Sequence, residues 1–181
     1  MAFDLQKVYD EMSEAFGGFQ TSSGLSCLSG CGNCCKNPEI EASPLEMIPW
    51  ALKIYDSGQS DEWLSHLSSS KQDSCLLLVN EKCISYGERP SICRMFGVSG
   101  YFDKHHQKTL SICRYIREAN ESMAMNAQAE EAPVMASWSS KLSSLGSVED
   151  SQKRPVNEAM KRALEKVSTH FYYLSGDEHS R

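Results

Sequence analysis

The chain has 181 residues and a formal net charge of −6. A net negative charge argues against nucleic acid or an anionic membrane surface as the main partner. No run of apolar residues approaches the length that spans a bilayer, so no membrane partner is expected. The length predicts a single domain over residues 1–181 with a modest hydrophobic core.

Helical patterns dominate the two ends of the chain. Apolar residues recur at helical spacing over residues 3–16, and Gly17 and Gly18 predict the end of this first helix. Ser43 and Glu46 have the spacing of a capping box, which predicts that a second helix begins there. Later patterns predict helices over residues 109–127, from Pro133 to Leu145, and after Pro155 through Leu174.

Interruptions mark the middle of the chain. Pro49 should kink or restart the second helix, because proline removes one backbone donor. Residues 75–86 predict a β-hairpin with its turn at residues 80–82. The fold class is therefore mainly α with one short β-hairpin, the helices surrounding a loop-rich, cysteine-ligated metal site. Residues 27–113 form the predicted metal-binding region and residues 120–175 a helical C-terminal part.

Eight cysteines are the most informative residues of the chain. Four lie within nine residues, with spacers of three, two and no residues, and four more follow: Cys27, Cys31, Cys34, Cys35, Cys75, Cys83, Cys93 and Cys113. Thiolates at such short spacings favour a soft metal ion or an iron–sulfur cluster. Gly30 and Gly32 flank Cys31 and suit the tight turns that bring neighbouring thiolates onto one metal.

The adjacent pair Cys34 and Cys35 adds a constraint. In an extended backbone, neighbouring side chains point to opposite faces, so the two sulfurs would not easily bind one ion side by side. The pair then either serves two sites or contributes only one ligand.

Disulfides are the alternative use of an even number of cysteines. The N-terminal sequence MAFDLQKVYDEM contains acidic residues and no apolar signal-peptide segment. A cytoplasmic location is therefore expected, and thiols in a reducing compartment stay free for metals.

Charged residues near the later cysteines are candidates for cofactor binding. The tetrapeptide SICR occurs twice and places Arg94 and Arg114 directly after a cysteine. Each arginine could donate hydrogen bonds to cluster sulfurs or attract an anionic substrate, and the alternative is a salt bridge to an acidic residue. His105 and His106 could bind a metal or move protons, but their charged neighbours favour plain surface histidines.

Three segments together carry a resemblance to a known family. CxxxCGxCC at residues 27–35, the helix start SPLE at residues 43–46 and CLLL…CISYGERPSICRMF at residues 75–96 resemble the YkgJ-like cysteine-cluster family. This family is described as zinc- or iron-chelating and its domain also occurs in the FliB flagellin lysine N-methyltransferases. The resemblance covers residues 27–113 and implies metal chelation by all eight cysteines. Gly97 departs from the family pattern, where proline often follows the phenylalanine, and this should loosen the exit from the turn.

Iron–sulfur and zinc remain the two main interpretations. Eight thiolates without histidine at zinc-finger spacing favour an iron–sulfur cluster of the [4Fe–4S] type, used in electron transfer or in support of a partner enzyme. The alternative is a zinc-stabilised interaction module, because all-cysteine zinc sites are common. Four other interpretations are less favoured: a small metalloenzyme, a methyltransferase-related protein, a radical S-adenosylmethionine enzyme and a thioredoxin-like protein. The last two require βα units, and the chain shows none. The sequence identifies no catalytic residue and no particular protein partner.

Overall fold

Two long helices, several short helices and three small antiparallel sheets make up the computed structural model, which describes residues 2–28 and 31–177. The helices in these residues are α1 (Ala2–Ser23), α2 (Ile48–Asp56), α3 (Ser60–Ser69), α4 (Ser91–Met95), α5 (Arg114–Ala119), α6 (Glu121–Asn126), α7 (Met135–Ser143), α8 (Val148–Ser151) and α9 (Val156–Asp177). The strands are β1 (Glu41–Ala42), β2 (Leu78–Val79), β3 (Lys82–Cys83), β4 (Val98–Phe102), β5 (Lys108–Ile112) and β6 (Arg154–Pro155). The predicted turn residue Gly30 lies outside the described residues.

The mainly α fold class is confirmed, and so is the predicted hairpin. Strands β2 and β3 pair antiparallel, with Leu78 opposite Cys83. Asn80 and Glu81 occupy the turn with φ angles of 50° and 64°. Positive φ at both central residues is the mark of a tight two-residue hairpin turn.

A second hairpin corrects the helix predicted over residues 109–127. Strands β4 and β5 pair over five residues, from Val98 opposite Ile112 to Phe102 opposite Lys108. Leu110 and Ile112 pack on the smaller core cluster, so tertiary packing overrides the local helical pattern. Helix begins only at Arg114, and Asn120 separates α5 from α6.

Helix α1 is longer than predicted. It continues through Gly17 and Gly18 to Ser23, because Phe19 extends the buried stripe beyond Phe16. The helix stops before Gly24, whose φ of +68° favours glycine. The prediction that the glycine pair ends the helix was therefore wrong.

The start of the second helical segment follows the sequence closely. The Ser43 amide donates to Glu46 Oε2 at 2.8 Å, and the Glu46 amide donates to Ser43 Oγ at 3.3 Å. This reciprocal pair is the predicted capping box. A 3₁₀ turn over Leu45–Met47 precedes α2, and Pro49 lies in the first turn of α2. The predicted restart at this proline is confirmed.

The main core lies between the long terminal helices and α2. Helix α9 packs against α2 and α3, and α1 packs against α4 and α7. The fully buried side chains of α9 follow helical spacing: Ala159, Met160, Ala163 and Leu164. Trp50 on α2 meets Trp63 on α3 edge to face, with ring centroids 5.4 Å apart. Across residues 2–28 and 31–177, every helix is too short or too polar to cross a bilayer.

The beginning of α9 fixes two cysteine-bearing loops in place. The Leu76 amide donates to Asn157 Oδ1 at 2.9 Å, and Asn157 Nδ2 donates to the Ser74 carbonyl at 2.9 Å. The Val156 amide donates to the Ile40 carbonyl at 3.0 Å. The C-terminal helix thus holds two loops within the metal-binding region, the one after Cys35 and the one that contains Cys75. The single-domain boundaries and the division at residues 113 and 120 stay predictions.

Candidate metal centre

One cavity gathers the sulfur-bearing residues. It has a volume of about 490 Å³, and its lining includes all eight cysteines: Cys27, Cys31, Cys34, Cys35, Cys75, Cys83, Cys93 and Cys113. All eight are free thiols. They come from the loop after α1, a 3₁₀ turn, the loop before β2, strand β3, helix α4 and the residue before α5. The fold therefore brings together residues up to 86 positions apart along the chain.

The backbone at Cys34 and Cys35 is helical rather than extended. Both residues lie in a 3₁₀ turn over Asn33–Lys36, closed by a 3.0 Å bond from the Cys35 amide to the Gly32 carbonyl. In such a turn neighbouring side chains do not alternate across a sheet face. The expectation of opposite faces was wrong, and both thiols face the same cavity.

Four thiols form the deepest part of the cluster. The Cys35 thiol is in hydrogen-bonding contact with the sulfurs of Cys34, Cys75 and Cys83. Hydrogen bonding from Cys35 lowers the pKa of Cys34 and of Cys83 to about 6, and lowers the pKa of Cys75 as well. The pKa of Cys35 itself is raised because its proton is shared among these neighbours. Thiolate, the form that binds metal, is therefore favoured at Cys34 and Cys83 near neutral pH.

The remaining four thiols are held individually. Burial raises the pKa of Cys93 to about 12 and also raises the pKa of Cys27. Asn33 Nδ2 donates to the Cys31 sulfur at 3.3 Å. The Cys113 amide donates to the Gly97 carbonyl at 2.6 Å. The last two hydrogen bonds anchor the Cys31 sulfur and the Cys113 backbone.

Gly97 shapes the exit from α4 in a way that proline could not. Its φ is +124°, whereas proline is restricted to about −65°. Its carbonyl accepts the Cys113 amide, so this turn ties two cysteine segments together. Glycine gives a turn that is closed by a hydrogen bond. The loosened exit relative to the family pattern stays a prediction.

Glu46 links the helix start SPLE to the helix that carries Cys93. The carboxylate is buried and accepts from the Ser91 amide at 3.2 Å, from the Ser91 hydroxyl and from Lys153 Nζ. Desolvation opposes ionisation, but the Lys153 charge and these donors hold the pKa of Glu46 below its usual value. Two separate motifs of the sequence are thus joined by one buried carboxylate.

Gly32 permits close contact between the cysteine loop and the hairpin. A Cβ atom at this position would lie 2.5 Å from the Glu81 carbonyl oxygen and 2.5 Å from Leu78 Cδ1. Any larger residue would push the tip of the β2–β3 hairpin away from Cys31 and Cys34.

Arg89 is a cavity residue that the sequence did not single out as a cofactor-binding candidate. Its Nε donates to the Tyr86 carbonyl at 2.9 Å, and its guanidinium lies 3.4 Å from the centroid of the Tyr86 ring. The charge of Arg89 acts to lower the pKa of the thiols of Cys27, Cys34, Cys83 and Cys93. The Arg-Pro step that precedes α4 was the available signal, but only the fold shows that this side chain faces the sulfurs.

The two arginines predicted to bind the cofactor differ in position. Arg114 lines the cavity and forms a 2.9 Å ion pair with Glu118. Arg94 instead donates to the Arg89 carbonyl at 2.8 Å, to the Gly87 carbonyl and to Ser13 Oγ at 3.1 Å. Cofactor binding by either residue stays a prediction.

His105 and His106 lie at the exposed turn between β4 and β5. Neither is among the residues that line the cavity. Their surface position agrees with the interpretation favoured by the sequence.

The donor set fits a soft metal centre. Thiolates select zinc or iron–sulfur clusters over hard cations such as magnesium. In the part of the chain that the structure describes, no three cysteine, histidine or acidic side chains are already arranged around a metal position. Instead, the Cys35 thiol hydrogen-bonds with the thiols of Cys34, Cys75 and Cys83, and deprotonation would exchange these contacts for metal–sulfur bonds.

Comparison with known proteins identifies the family. A family model described as "CxxCxxCC: Putative zinc- or iron-chelating domain" matches residues 26–128, more than half of the chain. The chain belongs to this family. No curated protein and no solved structure matches it. The family match confirms the resemblance, extends it through α6 and supports metal binding by this region, with zinc and iron named alike.

Proposed function

We propose that the cavity binds an iron–sulfur cluster of the [4Fe–4S] type, which serves electron transfer or supports a partner enzyme. The observation that carries the proposal is the gathering of eight thiols around one cavity of about 490 Å³. A structural zinc ion lies about 2.3 Å from each of four sulfurs and needs no such space beside it. Within the described residues, the lining contains neither histidine nor carboxylate, which also suits a cluster held by thiolates.

The surroundings of the sulfurs support a redox role. Apolar side chains line the cavity beside the cysteines, among them Leu77, Ile92 and Met95. Burial, hydrogen bonds to sulfur and nearby charge are the means by which a protein sets the potential of such a cluster. Arg89 supplies the charge, and Asn33 supplies a hydrogen bond to sulfur. The same proposal assigns the chain to the cytoplasm, where thiols stay reduced.

A zinc-stabilised interaction module is the second candidate. It is favoured by the exposed aromatic side chains at the cavity mouth, Tyr86 and Tyr115, which a partner protein could cover. In this case the metal would hold the loops together without redox chemistry.

The variants Cys31→Ser and Cys93→Ser test the ligand assignment, with His105→Ala as the matched control. Each cysteine variant, purified without oxygen, should lose most of its iron and acid-labile sulfide, whereas the control should keep the wild-type content. A visible charge-transfer spectrum in the wild type and its loss in the cysteine variants would support the cluster. Unchanged metal content and melting temperature in both cysteine variants would contradict the assignment. A colourless wild-type protein with bound zinc would favour the second candidate.

A further inference from the structure

One buried hydroxyl in the cavity lacks a hydrogen-bond partner. Among the described residues, the side chains of four buried polar residues are hydrogen-bonded: Ser43, Glu46, Ser85 and Ser91. Ser99 is also buried, at 2% exposure, and lines the cavity, but its hydroxyl forms no hydrogen bond within residues 2–28 and 31–177. A buried hydroxyl without a partner is costly, so Ser99 is suited to bind a group that enters the cavity.

The β4–β5 hairpin places a second hydroxyl beside Ser99. Ser99 lies directly opposite Ser111, and side chains of directly opposite residues project from the same face of the ladder. Ser111 also lines the cavity, at an exposed position. The preceding and following residues, Val98 and Ile112, pack on the smaller core cluster, as alternation along a strand requires. The two serines therefore form one polar patch of the cavity wall.

This serine pair lies next to a predicted metal ligand. Cys113 is two residues after Ser111, and its amide donates to the Gly97 carbonyl at 2.6 Å, so the two segments stay side by side beyond the serines. Two residues of extended chain span about 7 Å, and their side chains project to the same face. A ligand held by the serines would therefore lie beside the metal, and in this respect the inference rests on the proposed function.

Apolar side chains from two helices complete this part of the cavity. The Gly100 amide donates to the Pro133 carbonyl at 2.8 Å, which fixes the start of α7, and with it Met135, next to β4. Helix α4 contributes Ile92 and Met95 to the lining, and Met135 lines it as well. Methionine side chains adapt to ligands of different shape. Mainly apolar walls with a few polar groups are typical of sites that bind small molecules.

The charges of the lining favour an anionic ligand. Within the described residues, the lining contains the cations Arg89 and Arg114 and no carboxylate. Arg114 pairs with Glu118 through Nε, which leaves its two Nη groups for an anion. Bound metal offsets part of the thiolate charge. Guanidinium and hydroxyl groups donate hydrogen bonds, and a carboxylate accepts several at once, so these donors suit an organic acid rather than an amine.

We infer that the cavity binds a small organic carboxylate beside the metal. Ser99 and Ser111 donate to the carboxylate, Arg114 pairs with its charge, and its hydrocarbon chain lies against the three apolar side chains of α4 and α7. The inference goes beyond electron transfer, because it gives the metal centre a bound organic molecule as its neighbour.

Isothermal titration calorimetry with hexanoate as the probe tests this inference on wild-type protein purified without oxygen. Hexanoate should bind in an equimolar amount, at least about tenfold more tightly than acetate, which lacks the chain, or hexanol, which lacks the charge. Ser99→Ala should weaken hexanoate binding by about tenfold, because a hydrogen bond to a charged group is lost. The matched control Ser65→Ala removes an exposed hydroxyl of α3 and should leave the affinity unchanged.

Two variants at exposed positions keep the test independent of a folding defect in Ser99→Ala. Ser111→Ala should weaken hexanoate binding by about threefold or more. Arg114→Gln should weaken hexanoate binding by a similar factor and leave hexanol binding unchanged, because only the carboxylate carries a charge.

The outcomes separate this inference from the proposed function, because iron, sulfide and zinc are measured in the same sample. Wild-type protein that contains metal but does not bind hexanoate would overturn the inference alone, with water as the partner of the Ser99 hydroxyl. Hexanoate affinities that are unchanged in the folded Ser99→Ala, Ser111→Ala and Arg114→Gln variants would overturn it as well. Hexanoate binding that depends on these residues in protein without metal would contradict only the proposed function.

Discussion

The helical frame and the cysteine cavity are stabilised in different ways. The frame, formed by α1, α2 and α9, buries large apolar side chains completely, among them Leu5, Met12, Trp50, Met160 and Leu164. The cavity region carries two-residue strands, a 3₁₀ turn and a five-residue helix. Its buried apolar side chains are fewer, so hydrogen bonds and metal–sulfur bonds must supply more of its stability.

This difference teaches that the effects of metal and of apolar burial can be separated. Each buried aliphatic side chain contributes about 1.5–3 kcal/mol, so the frame has a source of stability that does not depend on metal. The loops that carry the cysteines gain their order when the ligands bind. Loss of metal should therefore disorder the cavity first and leave much of the frame folded.

Metal removal gives the largest expected effect. Binding free energies at all-thiolate sites are on the order of 10 kcal/mol, and this stabilisation acts on the cavity segments. After chelation, the amides of Cys75, Ile84 and Cys113 should exchange at least about tenfold faster, whereas those of Met160 and Leu164 should change by less than about threefold. Hydrogen exchange with mass spectrometry measures both sets in one sample. Equal acceleration in the two regions would show that they are one cooperative unit.

Leu164→Ala tests the frame alone. Leu164 is fully buried on α9, so its truncation should cost about 3 kcal/mol in the free energy of unfolding, from lost burial and the cavity left behind. Urea unfolding of the metal-free protein measures this cost. Leu174→Ala is the matched control, because Leu174 is half exposed and should cost less than about 0.5 kcal/mol. A larger loss in the control than in Leu164→Ala would contradict the assigned core.

Glu46→Gln tests the connection between the two regions. The neutral amide of the variant would face Lys153 and the Ser91 amide. This change should lower the free energy of unfolding by about 2 kcal/mol. The folded-state pKa of Glu46 lies below its unfolded value, so its contribution is complete above the unfolded pKa and is lost as the pH falls through the folded pKa. The variant should therefore lose less stability than the wild type when the pH falls below about 4.5. Glu62→Gln on the exposed part of α3 is the control. Parallel pH profiles for Glu46→Gln and the wild type would refute the role of this carboxylate.

Gly32→Ala tests the packing of the hairpin on the cysteine loop without removing a ligand. The added methyl group would clash with the Glu81 carbonyl. The clash should lower the free energy of unfolding by about 1–2 kcal/mol. Metal affinity should fall by about tenfold or more, because the Cys83 strand is displaced from Cys31 and Cys34. Gly87→Ala is the control, since a Cβ atom there meets nothing within 4 Å. Equal affinities in the two variants would show that the close contact does not matter for binding.

Arg89→Gln gives the smallest expected effect. Removal of this charge from beside several thiolates should lower metal affinity by about threefold at neutral pH, because the thiolate form loses a stabilising cation. Arg117→Gln, on the exposed face of α5, should leave the affinity unchanged. Competition with a chromophoric chelator at low salt measures both. A loss of equal size in the two variants would indicate a general charge effect.

Local signals were sufficient for much of the frame. The apolar periodicity of α9, the capping box at Ser43 and Glu46, and the restart at Pro49 all follow from neighbouring residues. The tight turn at Asn80 and Glu81 also follows from local backbone preferences. These features depend on interactions within a few residues, which a sequence displays directly.

Features that depend on contacts between distant residues could not be predicted from the sequence. The strand at 108–112 forms because it pairs with β4, and the 3₁₀ turn at Cys34 closes where the hairpin meets Gly32. Asn157 carries no sequence motif, and the motif that contains Arg89 does not show which way its side chain points, so their roles appear only once the fold places them against the cysteine loops. Cysteine spacing predicted thiolate ligands, but the gathering of all eight cysteines around one cavity appeared only in the three-dimensional structure.

The most direct test is the parallel measurement of iron, acid-labile sulfide and zinc in wild-type protein freshly purified without oxygen. The account predicts iron and sulfide in nearly equal amounts, at about four of each per cluster, with a visible absorption that bleaches on reduction. Protein that folds normally yet contains neither iron nor zinc would contradict it.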